Sequence, residues 1–281
     1  MQEFKGLTEM LRILDFIRKI KHRDSEYVTK SDNSLKFFWW NGHENVGDAL
    51  NFDLASRYMG LDVEWVPNNY NKEYYMVIGS IIQKANSNAI IWGAGLISDK
   101  LTPYRKPKEI LAVRGPLTRA ALERRGIGCP KIFGDPALLL PKYYYPTVQK
   151  KYKYGIIPHY ADMQHPFFKQ ETPDDFLLID PGTNDVESFI KRLLSCEKIV
   201  SSSLHGLIFS DAYAIPSAHV RFSKKVFGDN FKFCDYFLSV GRNPEIGPGI
   251  ELGANYNCLR GLDFSTARKI DTEALESSCP F

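Results

Sequence analysis

Long apolar runs are missing from this 281-residue sequence. No stretch approaches the roughly 20 consecutive apolar residues that span a bilayer. The N-terminus carries no apolar core followed by a small-residue cleavage site, so neither a membrane span nor a cleaved signal is expected. Cysteine is sparse: Cys129, Cys196, Cys234, Cys258 and Cys279 are an odd set without a CxxC pair. That leaves no visible disulfide framework or zinc-ligand pattern and points to a reducing cytoplasm. An excess of one charge is also lacking, with 36 Lys+Arg against 33 Asp+Glu and a net charge of +3. A surplus so small and dispersed argues against nucleic acid as the principal ligand, although a local cationic pocket stays open. No metal-ligand cluster shows, and no metal or cofactor is expected.

What is present is a globular composition, 44% hydrophobic and 25% charged, in a chain long enough for two compact cores. Residues Phe4 to Arg23 read as an amphipathic helix, in which Leu7, Met10, Leu11, Leu14, Ile17 and Ile20 recur at three- and four-residue steps among basic residues. Packing on its own domain and lying on an anionic membrane surface are both open to such a helix. Polar residues Asp24 to Ser34 read as a linker. The expected division is an N-terminal helical segment over 1–30, one domain over 31–146 and a second over 147–281.

From Leu35 onward short apolar runs alternate with helical patterns. Strands are expected at Leu35 to Trp40, Leu61 to Val66, Tyr74 to Ile78, Ala89 to Trp92, Glu109 to Val113 and Lys131 to Pro136. Helices are expected from Asp48 to a stop at Gly60 and from Pro116 to Gly126. Leu138 to Lys153, with two prolines, reads as a linker. A second set comes after it: strands at Tyr154 to Tyr160, Phe176 to Asp180 and Lys198 to Ser201, and helices at Val186 to Cys196 and Leu204 to Ala214. This alternation predicts an α/β fold with parallel sheets in two halves, and ligands gathering at the carboxyl ends of the strands.

Four loops fall at such ends. In Asn45-Val46-Gly47-Asp48 a glycine permits close approach of a ligand and the first helix amides favour an anion, while Asp48 either caps the helix or serves as a base. Gly93 and Gly95, after a buried strand, fit a tight turn as well as a ligand contact. Arg114 ends a strand beside a helix start, where it is either an exposed arginine or a bidentate partner for phosphate or carboxylate. Ser201-Ser202-Ser203-Leu204-His205-Gly206 places three hydroxyls and a histidine at a helix start that favours an anion. The titration range of His205 suits proton transfer.

The order of these pieces is more specific than any one of them. N-x-G-D, a Gly-rich turn after a strand, V-R-G-P-L-T-R with GDPALLLP, G-I-I-P-H-Y, and S-S-S-L-H-G-L-I with A-x-x-I-P together resemble the polysaccharide pyruvyltransferase family, most closely its ketal-forming exopolysaccharide branch. The resemblance runs from about Leu35 to Leu238. It implies two Rossmann-like domains facing a cleft in a GT-B-like arrangement. It also implies transfer of the enolpyruvyl unit of phosphoenolpyruvate to a sugar, in which C3 of the enol is protonated, a sugar hydroxyl attacks C2 and phosphate leaves. The donor would be held by Arg114, Ser202, Ser203, Leu204, His205, Gly206 and Lys232, and the acceptor side of the cleft lined by Asn45, Gly47, Asp48, Gly93 and Gly95. His205 is the implied acid, and Asp48 or His159 the base. The acceptor is implied to be a lipid-linked sugar at the inner face of the membrane. Some members carry an arginine before the Leu-His pair where this chain has Ser203, so the missing cation is sought in Lys232 first and Arg221 second. Two rival readings are a GT-B glycosyltransferase using a nucleotide sugar and a catalytically silent sugar- or nucleotide-binding module.

Overall fold

The structure, a computed structural model, describes residues 33–103, 105–228 and 230–281. The helix expected over Phe4 to Arg23, and nearly all of the linker after it, lie outside the described residues.

The described strands form two sheets in which every pairing is parallel. The first holds β1 (Leu35–Phe37), β2 (Val63–Trp65), β3 (Tyr74–Met76), β4 (Ala89–Trp92) and β5 (Glu109–Ala112), in the order β2-β1-β3-β4-β5. The second holds β6 (Tyr152–Ile157), β7 (Phe176–Leu178), β8 (Cys196–Ser201) and β9 (Ser217–His219), in the order β7-β6-β8-β9. A strand in a parallel sheet is covered on both faces, which is why β4 reads as an unbroken apolar run with all four residues buried. Strand order reverses between β1 and β3 in one sheet and between β6 and β8 in the other. Reversal sends successive connections to opposite faces and opens a crevice at the carboxyl ends of the strands.

Six helices frame the site and its supports: α1 (Val46–Phe52), α2 (Pro116–Glu123), α3 (Val186–Leu194), α4 (Leu204–Ala212), α5 (Phe231–Ser239) and α6 (Thr272–Ser277). In α3 the buried residues Val186, Phe189, Ile190, Leu193 and Leu194 follow helical spacing. Each such burial contributes roughly 1.5–3 kcal/mol, so packing rather than intrinsic propensity holds this helix. One continuous apolar cluster runs from Phe37, Trp39 and Leu50 through Leu138 to Leu140 and on to Ile157, Phe189 and Phe209, joining the two sheets. The chain then returns: α5 packs on α2, and Trp92 of the first sheet donates its indole N–H to the Leu275 carbonyl of α6 at 2.9 Å.

Several expectations are corrected. Lys131 to Pro136 is not a strand; it gives one bridge, Val113 with Phe133, before Asp135 caps a short 3-10 turn at Pro136–Leu139. The start of the expected Leu138 to Lys153 linker is core, because Leu138, Leu139 and Leu140 are buried between the sheets. β9 is not anticipated by the sequence, since Ser217–His219 is too short and mixed in character to stand out. α1 begins two residues before Asp48, capped by Asn45, whose side chain accepts from the Gly47 amide at 3.0 Å. Wide π-type turns extend it over Asp53–Tyr58, and Gly60 ends it at a φ of +73°.

Candidate active site

The loops that follow β1, β3, β6 and β8, at the two reversals of strand order, enclose a cavity of about 280 Å³. Asn45 and Asp48 reach it from the β1 side, Gly79, Ser80 and Gln83 from β3, His159 and Tyr160 from β6, and Ser203, Leu204 and His205 from β8. Lys232 enters from α5. A larger hollow of about 600 Å³, lined by Tyr145, Tyr213 and Pro216, lies near the amino ends of β8 and β9. It contains none of the four loops singled out by sequence, so chemistry rather than size selects the smaller cavity.

α4 points its start into this cavity. Ser203 is its N-cap residue, yet no side chain caps the helix, which leaves the first amides available to an anion. His205 comes next in the first turn, and its Nε2 is buried without a hydrogen-bond partner. Burial, and then the charges of Lys232 and Arg114, hold the imidazole pKa down at about 3, so the ring is neutral near pH 7. Gly47 makes room for it: a Cβ there would lie 1.9 Å from His205 Nδ1. The glycine of N-x-G-D therefore serves the histidine of S-L-H-G across the crevice.

Lys232 is 8% exposed, and burial followed by the Arg114 charge lowers its pKa to about 8, while Asp48 and Asp162 act in the opposite direction. Its position is set three residues further along α5. There Asp235 meets Arg114 in a pair with both side chains fully buried, Nη2 to Oδ2 at 3.1 Å and Nε to Oδ2 at 3.2 Å. Thr118 donates to the same carboxylate from its amide at 2.8 Å and its hydroxyl at 2.7 Å. Arg114 also donates to the Leu96 carbonyl and, at 2.6 Å, to Ser80 Oγ on the cavity wall. The reading of Arg114 as an exposed cation at a strand end is thus corrected. The guanidinium stands behind the wall, one side chain from the cavity, and its charge is matched by Asp235.

Other sequence-predicted residues divide in the same way. Asp48 is not the helix cap, that role being taken by Asn45, and its side chain belongs to the cavity lining. Gly95 faces the guanidinium of Arg114, with room for no Cβ, and Gly93, at a φ of +86°, abuts Pro136. Gly206 packs on Ser201 Oγ and Ile157. These three glycines permit close packing behind the site and do not line it. Ser202 is turned aside: its hydroxyl donates to Asp162 at 2.8 Å and accepts from the His159 amide at 2.8 Å. His159 Nδ1 accepts from the Ala161 amide at 3.2 Å, and burial, then Lys232, lower its pKa to about 3.

Sequence reasoning missed the aromatic rim. Trp40, His43, Tyr160 and Phe227 border the cavity, and the His43 and Tyr160 rings pack against each other with centroids 3.8 Å apart. Trp40, His43 and Tyr160 sit in or beside segments singled out by sequence, but isolated aromatics near a loop carry no pattern of their own. Asp235 was missed although it follows Lys232 at helical spacing. Among the described residues no group of His, Cys, Asp or Glu is arranged to hold a metal ion.

Known proteins resemble this chain to different degrees. The family profile described as polysaccharide pyruvyl transferase matches residues 13–223. An uncharacterized protein of Acanthamoeba polyphaga mimivirus is 37% identical over 207 residues, covering 70% of this chain and 71% of its own. The succinoglycan biosynthesis protein ExoV of Rhizobium meliloti is 27% identical over 211 residues, covering 73% of this chain, which spans 64% of the length of ExoV. A solved structure from Klebsiella pneumoniae, of an uncharacterized protein, superposes with a TM-score of 0.42 at 13% identity, over 88% of this chain and 98% of that one.

Proposed function

The chain belongs to the polysaccharide pyruvyl transferase family, and from that premise we propose that it moves the enolpyruvyl unit of phosphoenolpyruvate onto a sugar hydroxyl, closes a cyclic ketal and releases phosphate. The observation that carries this reading is the joint placement of His205, Lys232, Asp48 and an uncapped helix start around one cavity.

The donor bears phosphate and carboxylate groups, which the Lys232 ammonium and the first amides of α4 would receive. Lys232 in this way replaces the arginine that Ser203 does not supply, and Arg114 with Asp235 holds it in place. His205, with its pKa lowered to about 3, is neutral near pH 7 before a donor binds. Dianionic phosphate close to the ring favours the charged form, so the proton arrives with the donor. His205 then delivers it to C3 of the enol while a sugar hydroxyl bonds to C2 and gives its own proton to Asp48. The bond from C2 to the phosphate oxygen breaks with its electron pair leaving on phosphate, and a second hydroxyl of the same sugar closes the ring at C2. The two hydroxyl protons balance the new methyl hydrogen and the proton on released phosphate. Asp48 is preferred to His159 as base because His159 Nδ1 already accepts from an amide, which leaves its other nitrogen carrying hydrogen.

We read the two sheets as the facing Rossmann-like units of a GT-B-like molecule working in the cytoplasm, with a lipid-linked acceptor entering past the aromatic rim. The relationship to a succinoglycan biosynthesis protein supports a polysaccharide precursor as acceptor. The test is phosphate release from phosphoenolpyruvate that depends on an added sugar acceptor. Release that needs no acceptor, or sugar transfer from a nucleotide sugar instead, contradicts the reading.

A further inference from the structure

A second cavity, of about 250 Å³, opens on the opposite side of the Ser202–Ser203 backbone, past the carboxyl end of β9. Ser203 and Lys232 face the first cavity, whereas their neighbours Ser202 and Phe233 face the second, so the two are separated by a wall of main chain. His219, at the end of β9, lines this second space and is 7% exposed. Its Nδ1 accepts from the Gly247 amide at 3.1 Å. That bond fixes the tautomer: hydrogen resides on Nε2, which makes no hydrogen bond within the described protein. The ring is held against Phe233, centroids 4.3 Å apart, and burial followed by Arg221, Arg242 and Lys232 lowers its pKa to about 3. It is therefore a fixed neutral N–H donor in a positive field.

Two cations share the cavity with it, Arg221 and Lys224. Arg221 donates its Nε hydrogen to the Gly247 carbonyl at 3.2 Å, is exposed, and forms no ion pair among the described residues. Lys224 has no ion pair among the described residues either. Asp162, a nearby carboxylate, is occupied by the hydroxyls of Ser202 and Ser223. Asn230, in a left-handed conformation at a φ of +66°, begins α5 beside the cavity without a side-chain cap.

We infer that this second cavity is a phosphate-binding site distinct from the first, in which His219 Nε2–H, Arg221 and Lys224 hold a phosphate or diphosphate group. The inference stands on its own geometry and does not depend on phosphoenolpyruvate occupying the first cavity. A buried neutral donor flanked by two cations suits phosphate oxygens, which accept several charge-assisted bonds at once. Two sources present that chemistry, the phosphorylated end of an acceptor and free phosphate.

The experiment follows the ring nitrogens of His219 by nuclear magnetic resonance in histidine-labelled protein, assigned with His219→Gln. Sodium pyrophosphate and orthophosphate are added separately. The expected result is a saturable shift of the Nε2 signal. The paired Arg221→Ala and Lys224→Ala changes, both at the surface, should raise the dissociation constant about tenfold or more, the scale of one lost charge-assisted contact. Preference for pyrophosphate assigns the cavity to a diphosphate-bearing acceptor, and equal binding of orthophosphate assigns it to a monophosphate. No saturable shift from either anion up to about 10 mM, the edge of millimolar affinity, overturns the inference. So does a shift that the paired substitutions leave unchanged.

Discussion

Arg114 and Asp235 are 121 residues apart in sequence and form a fully buried ion pair that fastens the end of β5 to α5, the helix that carries Lys232. Removing one partner leaves the other charge buried alone, which typically costs about 3–5 kcal/mol. Arg114→Ala and Asp235→Ala should each lower stability by that amount, and together by much less than the sum. Urea denaturation of the four proteins checks it, and independent, additive losses contradict the pairing.

Gly47→Ala separates function from propensity. In a helix interior alanine is better than glycine by about 1 kcal/mol, so a purely local view expects a more stable protein. Here the new methyl would overlap His205. Turnover should fall at least about tenfold while circular dichroism stays unchanged, since a small displacement of an acid–base group is costly.

Lys232 gives two opposed effects. Its folded pKa, about 8, lies below the ordinary lysine value of 10.5. Between those values the unfolded chain binds more protons, so stability rises with pH there, and below pH 8 the full penalty for burying the ammonium applies. Lys232→Met should therefore stabilise the protein at pH 7, by about 1 kcal/mol or more, while weakening donor binding. In the parent, donor affinity should decline above pH 8 as the ammonium is lost, and Lys232→Met should lack that limb. Paired thermal melts and donor titrations across pH 6 to 9.5 read both.

Proton uptake tests His205. A ring with a pKa of about 3 is neutral at pH 7 before the donor arrives, and the mechanism needs it charged afterwards. Calorimetric titration in two buffers of different ionisation heat should show close to one proton taken up on binding, and His205→Gln should abolish the uptake and lower turnover at least about a hundredfold. Binding without uptake moves the acid role to Lys232.

Much of this site was legible as loops. Asn45 to Asp48, His159 and Ser203 to His205 stand out because parallel strands deliver their carboxyl-end loops to one crevice, and the alternation of strand and helix is visible in sequence. What could not be read was which way each residue faces. Arg114 and Lys232 are both basic residues beside helix starts, yet one is locked behind the wall and the other enters the cavity, and the difference lies in Asp235, brought in from beyond the second sheet. Gly93 and Gly95 fit a turn and a ligand contact equally in sequence, because a glycine that admits a ligand and one that admits a neighbouring side chain leave the same trace. β9 escaped because three residues define no period.

Whether this cavity takes phosphoenolpyruvate is tested most directly by donor-dependent heat stabilisation. A ligand bound only by the folded protein stabilises it by RT ln(1 + L/Kd), L being the free ligand concentration, so the midpoint rises with ligand concentration. Phosphoenolpyruvate should protect the parent protein, Lys232→Met should lose most of this protection, and nucleotide sugars should have no effect on either. Protection by a nucleotide sugar with none from phosphoenolpyruvate would contradict a phosphoenolpyruvate site.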